Sequence, residues 1–268
     1  MQVWTIVNQK GGVGKTTTVV SLAGLLVQRG QRVLMVDTDP HASLGYYLGL
    51  DPEEMPGSLF DLFYHHQNLT QDQIEAVIVP TNVAGLELLP AATALATLDR
   101  TLGNQAGMGL ILKSILQRLS HRYDAVLIDC PPVLGVLMVN ALAACEQIIV
   151  PVQTEFLALK GLDRMIQTLQ RLGQGGRPVP PHIIVPTLFD RRTRASLLAL
   201  SELVRTHPDH LWHSVIPVDT RFRDASLAHL PAPQYAGECR GVKAYNDLLD
   251  ELLSRGGQDV TRRAASGH

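Results

Sequence analysis

Residues 10–17 read Lys10-Gly11-Gly12-Val13-Gly14-Lys15-Thr16-Thr17, between the apolar run Val3-Trp4-Thr5-Ile6-Val7 and a segment of helical periodicity. A strand that enters a glycine-rich turn and leaves as a helix is the setting of a phosphate-cradling loop. Glycines let backbone N–H groups close around phosphate oxygens without Cβ clashes. The helix N-terminus adds a positive dipole end to the same spot. In such a loop Lys15 reaches the β- and γ-phosphates and the Thr16 hydroxyl ligates Mg²⁺. The nucleotide-binding set is then Lys10, Gly11, Gly12, Val13, Gly14, Lys15, Thr16 and Thr17. The ordinary form of the motif needs a glycine where Gln9 stands, and a second lysine, Lys10, opens the loop instead.

Beyond the loop, strand and helix patterns alternate. Val3–Val7, Arg32–Val36, Leu86–Leu89, Ala125–Asp129, Ile148–Val152, His182–Pro186 and Ser214–Pro217 read as strands. Thr16–Arg29, Gly107–Ser120, Lys160–Leu172, Ala195–His207 and Val242–Leu253 read as helices, the first ended by Gly30. Residues 44–80 are mixed, with short helical pieces, and Gly173-Gln174-Gly175-Gly176 reads as a flexible link. The expected fold class is α/β: a single doubly wound, mostly parallel sheet flanked by helices, with the ligand at the carboxyl ends of the strands. One domain over residues 1–255 and a polar, disordered tail over 256–268 is the expected organisation.

Composition narrows the function classes. Hydrophobic residues make up 46% of the 268 and aromatics 5%, which suits a parallel sheet packed with aliphatic side chains. The formal charge is −2, so any nucleic-acid site must be a local patch. Cys130, Cys145 and Cys239 stand singly, which suits a reducing compartment and argues against a disulfide framework or zinc site. The longest apolar stretch, Val133 to Val152, is broken by Asn140, Glu146 and Gln147 and is too interrupted to span a bilayer. A cytoplasmic protein without membrane insertion is expected.

Two acidic motifs complete the chemistry. Asp37-Thr38-Asp39-Pro40 follows the second strand. Beside a phosphate loop both carboxylates, Asp37 and Asp39, are expected near the γ-phosphate and Mg²⁺, Asp39 placed to orient or polarise an attacking water and Asp37 to support Mg²⁺ or its waters; read alone, an Asp-Pro turn with a solvated carboxylate is the favoured description of the segment. Asp129 ends the buried strand Ala125–Asp129 and delivers one carboxylate to the metal. Cys130, its neighbour, reads as a small buried residue.

Lys10–Thr17, Asp37–Pro40, Asp129–Pro132 and Pro151-Val152-Gln153-Thr154-Glu155-Phe156 occur in the order and spacing of ParA/MinD-group ATPases, and the chain resembles that family from residue 2 to about residue 254. The resemblance implies ATP and Mg²⁺ as cofactors, slow, partner-stimulated hydrolysis that needs Asp39, and a homodimer closed by ATP, with Lys10 crossing to the nucleotide of the second subunit. It places adenine near Pro186, Thr187, Pro217, Val218 and Asp219. It aligns Arg192 and Arg221 with arginines that bind DNA non-specifically, a contact that would be sequence-independent and salt-sensitive. Asp190, Asp219 and Asp224 offer those arginines local partners, so a solvated charged face is the other reading. His41 stands where many relatives carry Gln.

His41-Ala42-Ser43, Phe60-Asp61-Leu62-Phe63, the segment Leu89–Leu98 and Pro186–Arg192 are similar to the subgroup associated with chemotaxis gene clusters. That resemblance implies chemoreceptor arrays as cargo, chromosome or plasmid DNA next, an activating adaptor or ParB-like partner, and a nucleoid-associated or polar location. Two alternatives from other classes remain. A MinD-like membrane-surface ATPase needs a basic amphipathic C-terminal helix, whereas the last helix carries Asp247, Asp250 and Glu251. A metabolic ATP-dependent synthase sharing the loop needs a substrate site.

Overall fold

The computed structural model describes residues 1–98, 101, 108–174 and 179–265. Its centre is one seven-stranded sheet of β1 (Gln2–Ile6), β2 (Val33–Asp37), β3 (Val79–Pro80), β4 (Leu86–Leu89), β5 (Ala125–Asp129), β6 (Gln147–Gln153) and β7 (His182–Thr187), in the order β3-β4-β2-β5-β1-β6-β7. All pairings are parallel except β3 with β4 at the edge.

The strands are buried on both faces, and their alternation assigns each side chain to one of two apolar layers. Val3, Val7, Leu34, Val36, Val126 and Ile128 enter one layer; Trp4, Ile6, Val33, Met35, Ala125 and Leu127 enter the other. The first layer is closed by α5 (Ile111–Arg118), α6 (Val136–Ala144) and α7 (Phe156–Gln174), through residues such as Ile115, Met138 and Met165. The second is closed by α1 (Lys15–Gln28), α10 (Ala232–Ala236) and α11 (Arg240–Ala265), through Val19, Leu22, Ala232, Tyr245 and Leu249. Shorter helices α2 (Ser43–Tyr47), α3 (Leu59–Tyr64), α4 (Gln71–Ala76) and α9 (Arg221–Leu227), and the longer α8 (Arg194–Thr206), fill the connections.

Register sets the site. Ile6 of β1 and Asp37 of β2 both pair with Asp129 of β5, so three neighbouring strands end on one line. The loop after β1 and the two carboxylates therefore share one edge of the sheet.

Several expectations need correction. Ser214–Pro217 is not a strand of the sheet: it makes an isolated bridge, Phe189 with Pro217, and Pro217 has no N–H to extend a ladder. The helix α6 falls in a region read only as apolar. Residues 173 and 174 continue α7, and 175–176 lie outside the described residues. The helix read as Val242–Leu253 runs from Arg240 to Ala265, through most of the expected tail; residues 266–268 lie outside the described residues. Residue 107, read as the start of a helix, also lies outside, and Met108–Leu110 form a 3₁₀ turn before α5.

Candidate functional site

The loop is built to receive an anion. Gly12 and Gly14 have φ of 74° and 90°, the left-handed region that side chains rarely adopt. Gly14 is the N-cap of α1 and provides no side-chain cap, and the first turn has no acidic residue. The leading N–H groups of α1 are thus free of the usual internal acceptors, at the positive end of a 14-residue helix. Lys15 is buried in the loop, its Nζ 3.4 Å from the Lys10 carbonyl oxygen. Thr187 fastens the loop from the end of β7, donating its hydroxyl to the Val13 carbonyl at 2.8 Å.

Thr16 and Asp129 meet as expected: the Thr16 hydroxyl donates to Asp129 Oδ2 at 2.6 Å. Asp129 Oδ1 is buried and has no hydrogen-bond partner. Burial pushes the Asp129 carboxyl up to about 7, against the Thr16 hydroxyl and the Lys15 charge. Asp37 is also raised well above the ordinary carboxylate range, by burial first and by Asp129 second. Two buried carboxyls on one sheet rung, one with an orphaned oxygen, fit a cation. Thr16 and Asp129 would hold Mg²⁺, which would supply charge neutralisation for the phosphates. Among the described residues no group of three or more His, Cys, Asp or Glu forms a metal cage; Mg²⁺ shared with phosphates needs only one or two carboxylates.

The two oxygens of Asp37 accept from the Asp39 N–H at 2.9 Å and the Leu44 N–H at 3.1 Å. Asp37 therefore shapes the turn that carries Asp39. Thr38 was not singled out by the sequence; it is buried and donates its hydroxyl to the Asp129 carbonyl at 2.7 Å, joining the two strand ends.

Lys10 lies apart from the cradle. Its ammonium pairs with Glu155, at the end of β6. Its N–H donates to Asn8 Oδ1 at 3.0 Å, and Asn8 Nδ2 donates to the Pro151 carbonyl at 2.8 Å. Gly161 of α7 allows this close approach, since a Cβ there would sit 3.3 Å from Lys10 Cβ.

On the other side of the loop lies a cavity of about 350 Å³ lined by Gly14, Thr17, Thr187, Pro217, Val218 and Asp219 among others. Pro186, expected beside it, is not among the lining residues. The sequence did not indicate Tyr47, Leu188, Phe222 or Tyr245, which also line it. Asp219 accepts the Arg221 N–H at 3.1 Å and the Gly241 N–H at 3.0 Å, so its carboxylate ties α9 to α11. Tyr245 OH lies 2.9 Å from Thr18 Oγ1, which donates to the Gly14 carbonyl at 2.7 Å, so α11 props the loop from behind. Arg192 and Arg221 are exposed and locally paired, Arg192 to Asp190 at 2.7 Å and Arg221 to Asp224 at 3.5 Å.

The chain matches the family described as "AAA domain" over residues 1–178. It is 34% identical over 254 residues to the chromosome-partitioning ATPase Soj of Treponema pallidum, covering 94% of this chain and 97% of that protein. This chain belongs to the ParA/MinD family of P-loop ATPases. The chromosome partitioning protein ParA of Caulobacter vibrioides is likewise 34% identical, over 95% of both chains. A solved structure of cobyrinic acid a,c-diamide synthase from Mycobacterium smegmatis, with an ATP analogue and magnesium, superposes with a TM-score of 0.81 at 35% identity over 94% of each chain. As a member of this family the protein is an ATPase, converting ATP and water to ADP and phosphate. Among the described residues no helix is long and apolar enough to cross a membrane.

Proposed function

We propose that this ParA/MinD-family ATPase is a dimerisation switch: ATP closes a homodimer, slow hydrolysis opens it, and the cycle positions or segregates a cargo in the cytoplasm. The observation that carries this reading is the division of labour between the loop lysines. Lys15 sits buried in its own cradle, while Lys10 is held outside it by Glu155, available to a second subunit. In this reading Thr16 and Asp129 hold Mg²⁺, Asp37 supports the metal through its waters, Asp39 orients the attacking water, and Thr187, Pro217, Val218 and Asp219 flank the adenine side.

Non-specific DNA is the proposed matrix, through Arg192 and Arg221. Arg191, Arg194 and Arg223 are exposed nearby and make no ion pair among the described residues, which widens the positive surface. Chemoreceptor arrays are the first cargo to test, on the chemotaxis-cluster resemblance, and chromosome or plasmid DNA the next; a ParB-like protein or adaptor would stimulate hydrolysis. The apolar face of α11, with Val242, Tyr245, Leu248, Leu249 and Leu252, is buried against the domain, which disfavours these residues as a membrane anchor.

The test is binding of the Asp39→Ala protein to random-sequence DNA with ATP and with ADP, beside the same protein carrying Arg192→Ala and Arg221→Ala. Binding with ATP only, lost in the arginine variant and weakened by salt, supports the DNA-based switch. No binding in either nucleotide, with an ATP dimer shown by light scattering, would overturn the DNA matrix and direct attention to a polar protein. One neighbour carries a synthase's name at 35% identity, which favours amide formation as the second reading. Amidation of cobyrinic acid with glutamine and Mg-ATP would establish that reading instead.

A further inference from the structure

The turn after β2 carries one residue that no part of the site described above uses. His41 bonds Asp39 twice: its N–H donates to Asp39 Oδ1 at 3.0 Å, and its ring Nδ1 lies 2.8 Å from the same oxygen. An ionised carboxylate only accepts, so Nδ1 carries the proton and donates it. The backbone around Asp39 is fixed independently. The Asp39 N–H donates to Asp37 Oδ1 at 2.9 Å, and the Ala42 N–H donates to the Asp39 carbonyl at 2.8 Å. Ala42 itself holds φ 51°, a left-handed position that closes the turn. Rotation of the carboxylate about its terminal torsion, which is broad and two-fold in carboxylic side chains, is restrained by one backbone donor, the His41 N–H, and by the imidazole. The imidazole is the second donor on Oδ1, and among the described residues Oδ2 has no hydrogen-bond partner.

We infer that His41 is a positioning residue for ATP hydrolysis, holding Asp39 Oδ1 through Nδ1–H so that Oδ2 alone meets the attacking water. The inference rests on the proposed role of Asp39. Both side chains border a cavity of about 480 Å³ walled by Pro40, Thr93, Pro131 and Pro132, so the pair stands at an open edge of the site. The Asp39 side chain is 15% exposed and that of His41 82% exposed, so the imidazole covers the carboxylate from the solvent side. Geometry also says which replacement preserves the bond. The Asn amide nitrogen occupies the place of Nδ1 on the side chain, whereas the Gln amide nitrogen occupies that of Nε2, one atom farther out. The family resemblance leads one to expect Gln here, and this chain's histidine supplies a donor that Gln places elsewhere.

The experiment compares single-turnover ATP hydrolysis, steady-state KM and ATP affinity for the full-length protein and for His41→Ala, His41→Asn, His41→Gln and Asp39→Ala. Loss of an orienting contact is expected to slow the hydrolysis step of His41→Ala roughly tenfold, with ATP affinity and KM within about twofold of the parent. His41→Asn should recover most of that loss and His41→Gln should not. The backbone N–H bond survives in all three, so a merely structural turn would not separate Asn from Gln. Parent-like hydrolysis by His41→Ala, a loss confined to KM or affinity, or His41→Asn as slow as His41→Ala would each overturn the inference. Asp39→Ala keeps the two claims apart. If it hydrolyses ATP at the parent rate, the role of Asp39 falls; if it is inactive while His41→Ala is unaffected, only the positioning role falls.

Discussion

Gly241→Ala tests whether the cavity beside the loop is the nucleoside site. Gly241 is in the first turn of α11, where its N–H donates to Asp219 at 3.0 Å. A Cβ added there would lie 2.4 Å from two atoms of the Phe222 ring and 3.3 Å from Asp219 Cβ. Non-bonded carbons settle at roughly 3.5–4.0 Å, so the ring must give way by about 1 Å or more. Phe222 packs edge-on against Tyr245 at a centroid distance of 5.6 Å, which closes that direction, and it lines the cavity that contains Gly14, Thr17 and Val218. The open direction is into the cavity. Overpacking of this kind costs about 1–3 kcal/mol when it is resisted. Here the ring yields into empty space, so the free protein loses little stability and the cost appears on nucleotide binding. A penalty of about 1–3 kcal/mol corresponds to a rise in the ATP dissociation constant of roughly 5- to 150-fold. Calorimetric titration with Mg-ATP, paired with thermal unfolding with and without nucleotide, measures both sides. Phe222→Leu in the Gly241→Ala background should restore binding, because the smaller side chain vacates the cavity. Parent-like ATP affinity in Gly241→Ala, or no recovery in the double variant, would refute the placement of the nucleoside here.

Asp129→Asn tests the buried carboxyl pair. Burial holds the folded Asp129 carboxyl up to about 7, against an ordinary value of 3.8, so the folded protein favours the protonated form. Its contribution is present below about pH 4 and is lost as pH rises through 7, a few kcal/mol at most. Metal-free parent protein should lose denaturant stability between about pH 4 and pH 7, and Asp129→Asn should flatten that slope; equal slopes would contradict the assignment. Gly161→Ala should raise the unfolding free energy by up to about 1 kcal/mol through helix propensity, while pressing on Lys10 and weakening the ATP dimer on a sizing column. Glu155→Gln should shift the dimerisation constant by no more than about fivefold, since a half-exposed ion pair contributes about 0–1 kcal/mol. A hundredfold shift would show that Glu155 gates Lys10 far more strongly than its exposure allows.

The parts of the site that the sequence displays are those made of contiguous residues. Residues 10–17 and the strand Ala125–Asp129 carry their own local signals, glycine spacing in one and a buried run ending in a carboxylate in the other. The strand β5 matches its expected bounds, and β1 and β2 shift by one residue. What escaped detection has physical reasons. The helix α6 is apolar on most of its surface, with Val136, Leu137, Met138, Asn140, Ala141 and Leu142 all buried, so it shows no polar face to set a 3.6-residue period. The edge strand β3 has two residues, too few for any periodicity. The nucleoside-side cavity draws Tyr47, Phe222 and Tyr245 from three separate helices, brought together by the packing of α10 and α11 on α1 and of α9 on α10. The pairing of Asp37 with Asp129 is a property of strand register, which two separated strand patterns do not specify.

Exposure divides the site along the line that a nucleotide switch requires. Lys15, Asp37, Thr38, Asp129 and Thr187 are buried and fixed by bonds within one chain. In the proposed reading Lys15 and the Mg²⁺ held by Asp129 reach the γ-phosphate as well as the β-phosphate, and only the part of these contacts made equally with ATP and ADP shifts no equilibrium between conformations. Discrimination has to come from groups at the γ-phosphate end that have a second arrangement available. In the proposed reading Lys10, Asp39 and His41 are such groups: Lys10 is held by one solvent-accessible ion pair, and the Asp39 carboxylate is held through one oxygen. Around them stand exposed apolar side chains, Val133 at 62%, Phe156 at 69% and Leu157 at 67%, on the segments that follow β5 and β6. Burying those three side chains against a second subunit is favourable at about 25 cal/mol per Å², whereas releasing Lys10 from Glu155 costs about 1 kcal/mol or less. In the proposed dimer, burial of this apolar surface is indifferent to nucleotide, and the γ-phosphate contributes the part that distinguishes ATP from ADP. A switch of that kind is sensitive to the small, directional contacts at Asp39 and insensitive to large changes in affinity at the shared phosphates.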